Sequence, residues 1–153
     1  PYTTLFRSEG YKGEPQQILS TTFESQSDEI VLLKDISFTS MCEHHLLNFT
    51  GRAHVAYIPN NSRIVGLSKL ARLVDVFANR LQVQERMTQQ IAHALEENLT
   101  PNGAAVVVEG VHSCMCVRGV KKNEATMITS CLLGDFRNNL STRHEFFELI
   151  KRR

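Results

Sequence analysis

The chain has 153 residues, a formal net charge of +1, and a composition that is 42% hydrophobic and 22% charged. That size and balance suit one compact domain with its own core. They exclude an apolar membrane span of about 18 residues and a global field that would gather nucleic acid or an anionic membrane, so neither is expected as a partner.

The N-terminus lacks the charged-then-apolar pattern of a secretory signal. The four cysteines, Cys42, Cys114, Cys116 and Cys131, are therefore read as reduced thiols of a cytoplasmic protein, available to a metal or to catalysis. Residues 1–27 are polar and weakly patterned and are predicted to form an extended, partly mobile arm. Residues 28–153 are predicted to form a single domain. Within it, 28–40 and 51–59 carry β-branched and alternating apolar residues and read as strands, and "PNNSR" (59–63) is a turn signal. Leu67, Leu70, Leu73, Val74, Phe77 and Leu81 then recur at helical spacing, with Ser68 as the expected N-cap. Met87, Ile91, Ala94, Leu95 and Leu99 mark a second helix. Residues 104–117 and 126–134 read as strands, and 141–150 as a closing helix capped by Ser141 or Thr142. The order β-β-α-α-β-β-α predicts an α+β fold, a four-stranded antiparallel sheet with helices on one face. Its open edges invite oligomerisation.

Chemistry concentrates in "SMCEHHLLNF" (40–49). Cys42 and His45 are three apart, a metal-ligand spacing. A catalytic zinc takes three protein ligands and keeps a position open, so the third ligand must come from elsewhere. "VHSCMC" offers candidates: on a strand, His112, Cys114 and Cys116 share a face, and one cysteine can bind metal with His112 beside it. Cys131 reads as a small core residue, and His54, His93 and His144 as surface or satisfied core residues. Lys69 and Arg72 fall in the first turn of a helix, where cations oppose the helix dipole unless an anion binds there. Arg118 and the lysines at 121–122 add positive charge beyond the cysteine strand. There is no P-loop and no GxGxxG fingerprint, so a nucleotide is not held in those ways. Gln84 and Glu85 stand where the second helix begins, and a carboxylate there can accept hydrogen bonds from a purine edge.

Together, "SMCEHHLL", "YIP", "VGLSKLAR", "RLQVQERMTQQI", "VVVEGVHSCMCVRGV", "TSCLLGDF" and "TRHEF" resemble the GTP cyclohydrolase I family, in order, over about residues 28–150. The resemblance implies the tunnelling fold and a homodecamer of two pentamers with active sites at subunit interfaces. It implies Zn2+ held by Cys42, His45 and Cys114, with Cys116 left to packing. His112 falls at the catalytic histidine, with His44 and Glu43 in the same signature. Glu85 falls at the guanine anchor with Gln84 beside it, and Ser68, Lys69, Arg72 and Arg118 at the triphosphate positions. The implied reaction is hydrolytic ring opening of GTP to 7,8-dihydroneopterin triphosphate and formate, on the path to folate or biopterin. Asn48 departs from the family's usual proline and is expected to alter a turn. "PYTTLFRS" does not match the family's N-terminal region, so the arm is expected to be truncated there. Two other readings are a different purine or pterin enzyme of the tunnelling fold, and a non-catalytic zinc-stabilised oligomeric binding protein. A nitrile reductase of that fold needs a nucleophilic cysteine and no zinc, and a scaffold has no use for His112, Lys69 or Arg72.

Overall fold

Apolar alternation on both faces builds the central sheet. The computed structural model describes residues 8–152. In it, β2 (Val31–Cys42) and β3 (Asn48–Ile58) form a long antiparallel hairpin; β6 (Gly103–His112) pairs with β3, and β7 (Met127–Gly134) with β6. A fifth strand, absent from the sequence reading, is the two-residue β5 (Leu81–Gln82). It lies parallel to β2 beside Met41 and Cys42, giving the order β5-β2-β3-β6-β7. Two residues carry no periodicity, so nothing in the sequence marks this strand.

Helices α2 (Leu67–Ala78) and α3 (Gln84–Leu99) cover one face, as expected of the helix pair. Leu70, Leu73, Met87, Ile91 and Leu95 are fully buried against Phe49, Val55, Tyr57, Val106 and Val108. Each such side chain contributes about 1.5–3 kcal/mol by leaving water. Ser68 does not cap α2. Gly66 is the residue before the helix, in an extended conformation and with no side-chain cap bond, and Ser68 is exposed in the first turn. Helix α3 ends at Thr100, which is left-handed at φ 46° and closes on Glu96 O.

The closing helix differs in two ways. Helix α6 (Leu140–Lys151) is capped by Asn139, whose side chain accepts from Ser141 N and Thr142 N at 2.9 and 3.3 Å. It also packs on the opposite face of the sheet. With the short α5 (Asp135–Asn138), it places Phe136 and Phe146 against Ala56, Ile58, Ala105 and Val107. The small and branched residues on that face of β3 and β6 make room for the rings, so helices cover both faces rather than one.

The described part of the arm is folded. A short 3-10 turn (Glu9–Tyr11) and helix α1 (Pro15–Leu19) precede β1 (Thr22–Glu24), which pairs with β4 (Arg63–Val65). Leu19 is buried in the main core. Gly10 lies so close to α2 that a Cβ there would stand 2.2 Å from Val76 O. Arg80 donates to Gly10 O and Gly13 O and stacks over the Tyr11 and Phe77 rings. Polar composition hid this because the segment is held by a short strand pairing, backbone acceptors, Ile18 and Leu19 rather than by an amphipathic stripe. Residues 1–7 lie outside the described residues.

Candidate active site

The strand predicted over 104–117 stops at His112. Ser113–Cys116 coil into the one-turn helix α4, with Val117 N bonded to Ser113 O at 2.9 Å. His112, Cys114 and Cys116 therefore do not share a strand face. The Ser113 hydroxyl donates to Asn48 Oδ1 at 2.7 Å, so Asn48 ties the start of β3 to the turn carrying Cys114.

That turn aims Cys114 at the end of β2. Cys42 is the last residue of β2, 7% exposed. Its N–H donates to Leu47 O and its carbonyl accepts from Leu46 N, both at 2.9 Å, with Leu46 left-handed at φ 52°. The tight turn swings His45 back over Cys42, leaving Sγ and Nδ1 3.8 Å apart. The ligand atoms of Cys42, His45 and Cys114 all lie within 4.8 Å of one another. Two ligands on one tetrahedral zinc stand about 3.5–3.8 Å apart, given Zn–S of about 2.3 Å and Zn–N of about 2.0–2.1 Å. A pair of soft thiolates and one imidazole suits zinc, and the 3.8 Å between Cys42 Sγ and His45 Nδ1 matches that ion's ligand spacing, while 4.8 Å bounds the group as a whole. Cys116 and Cys131 are not in the group. The Cys116 thiol faces Lys122 O at 3.8 Å, and Cys131 packs against the core, where burial pushes its thiol pKa up.

The ligand turn is braced from α3. Glu43 N donates to Gln82 O at 3.0 Å, continuing the β5 pairing into the turn. The Glu43 carboxylate forms a forked pair with the Arg86 guanidinium, 3.2 Å on the Nη1 side. That hydrogen-bonded cation holds the Glu43 carboxyl below its ordinary pKa. Arg86 Nε donates to Gln82 Oε1 at 3.2 Å, and Gln82, 1% exposed, donates to Phe77 O and Gln90 Oε1. Glu43 thus faces Arg86, while His44 is exposed with its ring edge-on to His45. Sequence reasoning missed Gln82 and Arg86. Both sit in the quoted "RLQVQERM" stretch, but only the fold brings them to Glu43.

His112 is the last residue of β6, two positions before Cys114. Its ring stacks on Phe49 with centroids 4.5 Å apart and planes 2° from parallel. Its Nε2 is 2.8 Å from Gln84 Oε1. Burial lowers the His112 pKa, and the negative charge of Glu85 works against that. Glu85 is exposed in the first turn of α3, while Gln84 next to it is 1% exposed. Ser68, Lys69 and Arg72 lie on α2 and Arg118 follows α4. Ser68, Arg72 and Arg118 are exposed and Lys69 half-buried, and among the described residues none of the three cations forms an ion pair. No hydrogen bond joins these four to the metal-ligand trio.

A family model described as GTP cyclohydrolase I matches residues 2–151. The GTP cyclohydrolase 1 of Chlorobaculum tepidum is 55% identical over 146 residues, covering 95% of this chain and 65% of that protein. That of Campylobacter jejuni is 55% identical over 149 residues, covering 97% and 78%. That of Leptospira biflexa is 52% identical over 147 residues, covering 95% and 80%. The chain thus spans 65% of the first of these relatives and 78% and 80% of the other two. Among solved structures, the archaeosine synthase QueF-Like in its apo form superposes with a TM-score of 0.57 at 16% identity, covering 71% of this chain and 97% of that one. That likeness concerns the fold alone and agrees with the tunnelling fold. On the match over residues 2–151 and on identities above one half, the chain belongs to the GTP cyclohydrolase I family.

Proposed function

We propose that this chain is a zinc-dependent GTP cyclohydrolase I, converting GTP and water to 7,8-dihydroneopterin triphosphate and formate at the head of tetrahydrofolate or tetrahydrobiopterin synthesis. The observation that carries the reading is the convergence of Cys42, His45 and Cys114 within 4.8 Å, with His112 two residues before the last ligand. A zinc ion on these three ligands supplies Lewis acidity, the means by which water becomes a nucleophile near neutral pH. Water adds at C8 of the guanine and the five-membered ring opens to a formamide, a second water releases formate, the ribose rearranges, and a six-membered ring closes with loss of one water, so that one water is consumed overall.

The chain's own residues orient and protonate. Glu85, exposed at the start of α3, accepts hydrogen bonds from the N–H groups of the guanine edge and fixes the base. Lys69 and Arg72, with Ser68 and the free N–H groups of the first turn of α2, receive the triphosphate together with Arg118. An anion there removes the unfavourable meeting of Lys69 with the positive end of α2, and Arg72 one turn further on adds a second cation. His112 passes protons to and from the opening ring. His44 and the braced Glu43 wall the pocket beside the ligands.

The working form is a homo-oligomer in the cytoplasm, a decamer of two pentamers with active sites at subunit interfaces. β7 presents an outer edge, and β5 covers β2 only beside Met41 and Cys42. Ile128 on the open edge is 63% exposed, a combination that strand pairing between copies would cover. Among the described residues, no helix is long and apolar enough to cross a membrane.

Incubation with GTP, following formate and a pterin chromophore with and without a chelator, tests the reading. Stoichiometric formate that disappears with the metal and returns with added zinc is expected. No product from the zinc-loaded protein would leave a binding or scaffold role instead.

A further inference from the structure

Gln84 is nearly inaccessible, yet every polar atom of its side chain has a partner inside the chain. Its Nε2 donates to Val108 O at 3.1 Å, Met127 O at 3.0 Å and Thr129 Oγ1 at 3.2 Å. Two of these are backbone carbonyls, which only accept, so the amide nitrogen must face them and the amide oxygen must face away. The hydroxyls agree. Thr88 Oγ1 donates to Gln84 O at 2.8 Å, so in its 2.7 Å contact with Thr129 the Thr129 hydroxyl is the donor. That leaves a Thr129 lone pair for the Gln84 amide. The polarity of the network is therefore settled, and Gln84 Oε1 stands as an acceptor 2.8 Å from His112 Nε2.

An amide oxygen cannot donate, so His112 Nε2 must carry a hydrogen whether the ring is neutral or charged. The lone pair of the neutral ring is then on Nδ1, which has no hydrogen-bond partner among the described residues. Phe49 fixes the ring plane by stacking. Gly110 makes the arrangement possible, because a Cβ there would stand 2.4 Å from Gln84 Oε1. We infer that Gln84 is a positioning residue that holds His112 in its Nε2–H tautomer, so that Nδ1 is the atom through which His112 gives and takes protons. The tautomer follows from the network alone; its use in turnover rests on the reading of the site proposed above. Gln84 then acts through His112 rather than on the guanine, the role expected for it beside Glu85.

The test is magic-angle-spinning NMR of the intact protein labelled with 15N at histidine, at an alkaline pH where the ring is neutral, with His112 identified by its loss in His112→Ala. The native ring should show a protonated Nε2 and a bare Nδ1. In Gln84→Met the His112 signals should move toward a mixture of tautomers, and kcat for formate release should fall by about tenfold or more, with KM for GTP nearly unchanged, as a lost orienting acceptor predicts. Gln84→Glu, as a buried neutral carboxyl, can still accept from Nε2 while donating to a carbonyl. It should restore the Nε2–H tautomer and recover part of kcat. A protonated Nδ1 in the native ring overturns the inference, and that result needs no variant to fold. A folded Gln84→Met with an unchanged tautomer also overturns it, as does a raised KM at unchanged kcat. If the tautomer behaves as described while GTP is not consumed, the positioning role stands and the assigned reaction falls.

Discussion

The metal corner and the cationic turn of α2 are built by opposite means. At the corner, Cys42, His45, Cys114 and His112 are held by the β2–β3 hairpin turn, the α4 turn, the Arg86–Glu43 fork and the Gln84 network. The backbone carrying the three cysteine and histidine donors is fixed by bonds within the chain, and the His112 ring is held by Phe49 and Gln84, as pre-organised chemistry requires. At the start of α2, which begins at Leu67, only Lys69 stands in the first turn and opposes the helix dipole, while Arg72, expected there too, lies one turn further on; neither has an ion-pair partner among the described residues. Rigid placement thus belongs to the groups that would meet the reacting atoms. The groups assigned to the triphosphate need only charge and free N–H donors, and a polyanion can order those on arrival.

The comparison breaks most visibly at the ligands. Cys114→Ser is expected to abolish stoichiometric zinc and formate release together, with metal content and product measured on the same sample. Retention of one zinc per chain would remove Cys114 from the ligand set. Replacing Lys69 or Arg72 by Ala should leave zinc in place and raise KM for GTP by about 10- to 100-fold, the range of one charge-assisted hydrogen bond, with a steeper penalty at higher salt. An equal fall in metal content would show that the two regions are not independent.

Smaller effects test the bracing. Glu43→Gln removes the fork to Arg86 and should make zinc easier to strip with a chelator, measured as a faster release rate. The pH dependence has a definite sign. The folded Glu43 pKa lies below its ordinary 4.5, so its contribution is fully present above that value. It is lost as the pH falls through the lower folded pKa. The difference in zinc release between native protein and Glu43→Gln should therefore be constant near neutrality and close in acid. Asn48→Ala should cost about 1 kcal/mol in unfolding free energy through the lost Ser113 bond, measured by denaturant titration, with zinc stoichiometry unchanged.

Much of the metal corner was legible because it is local. Cys42 and His45 are three apart in one turn, and the distant "HSC" stretch is chemically conspicuous. The helices α2 and α3 were legible from periodicity, which reports the burial of Leu73 or Ile91 directly. What stayed hidden was non-local or too short to have a period. The reading of 104–117 as one strand failed because the turn at Ser113–Cys116 is too short to show a helical period and one of its ties, Ser113 to Asn48, spans 65 positions. The arm looked unstructured because its ties are scattered and non-local: a three-residue pairing of β1 with β4, backbone acceptors for Arg80, and Ile18 and Leu19 packed on the core.

By itself the sequence singled out the cysteines and histidines with metal-donor chemistry and the faces of the helices that are buried, since residue type and spacing set donor chemistry and amphipathicity. Only the tertiary structure decided how those groups are aimed. It brought Cys114 to the hairpin turn, put α6 on the second face of the sheet, and turned Gln84 inward to His112. Orientation depends on partners far away in the chain, and hydrogen-bond polarity is settled only when all of them are in place.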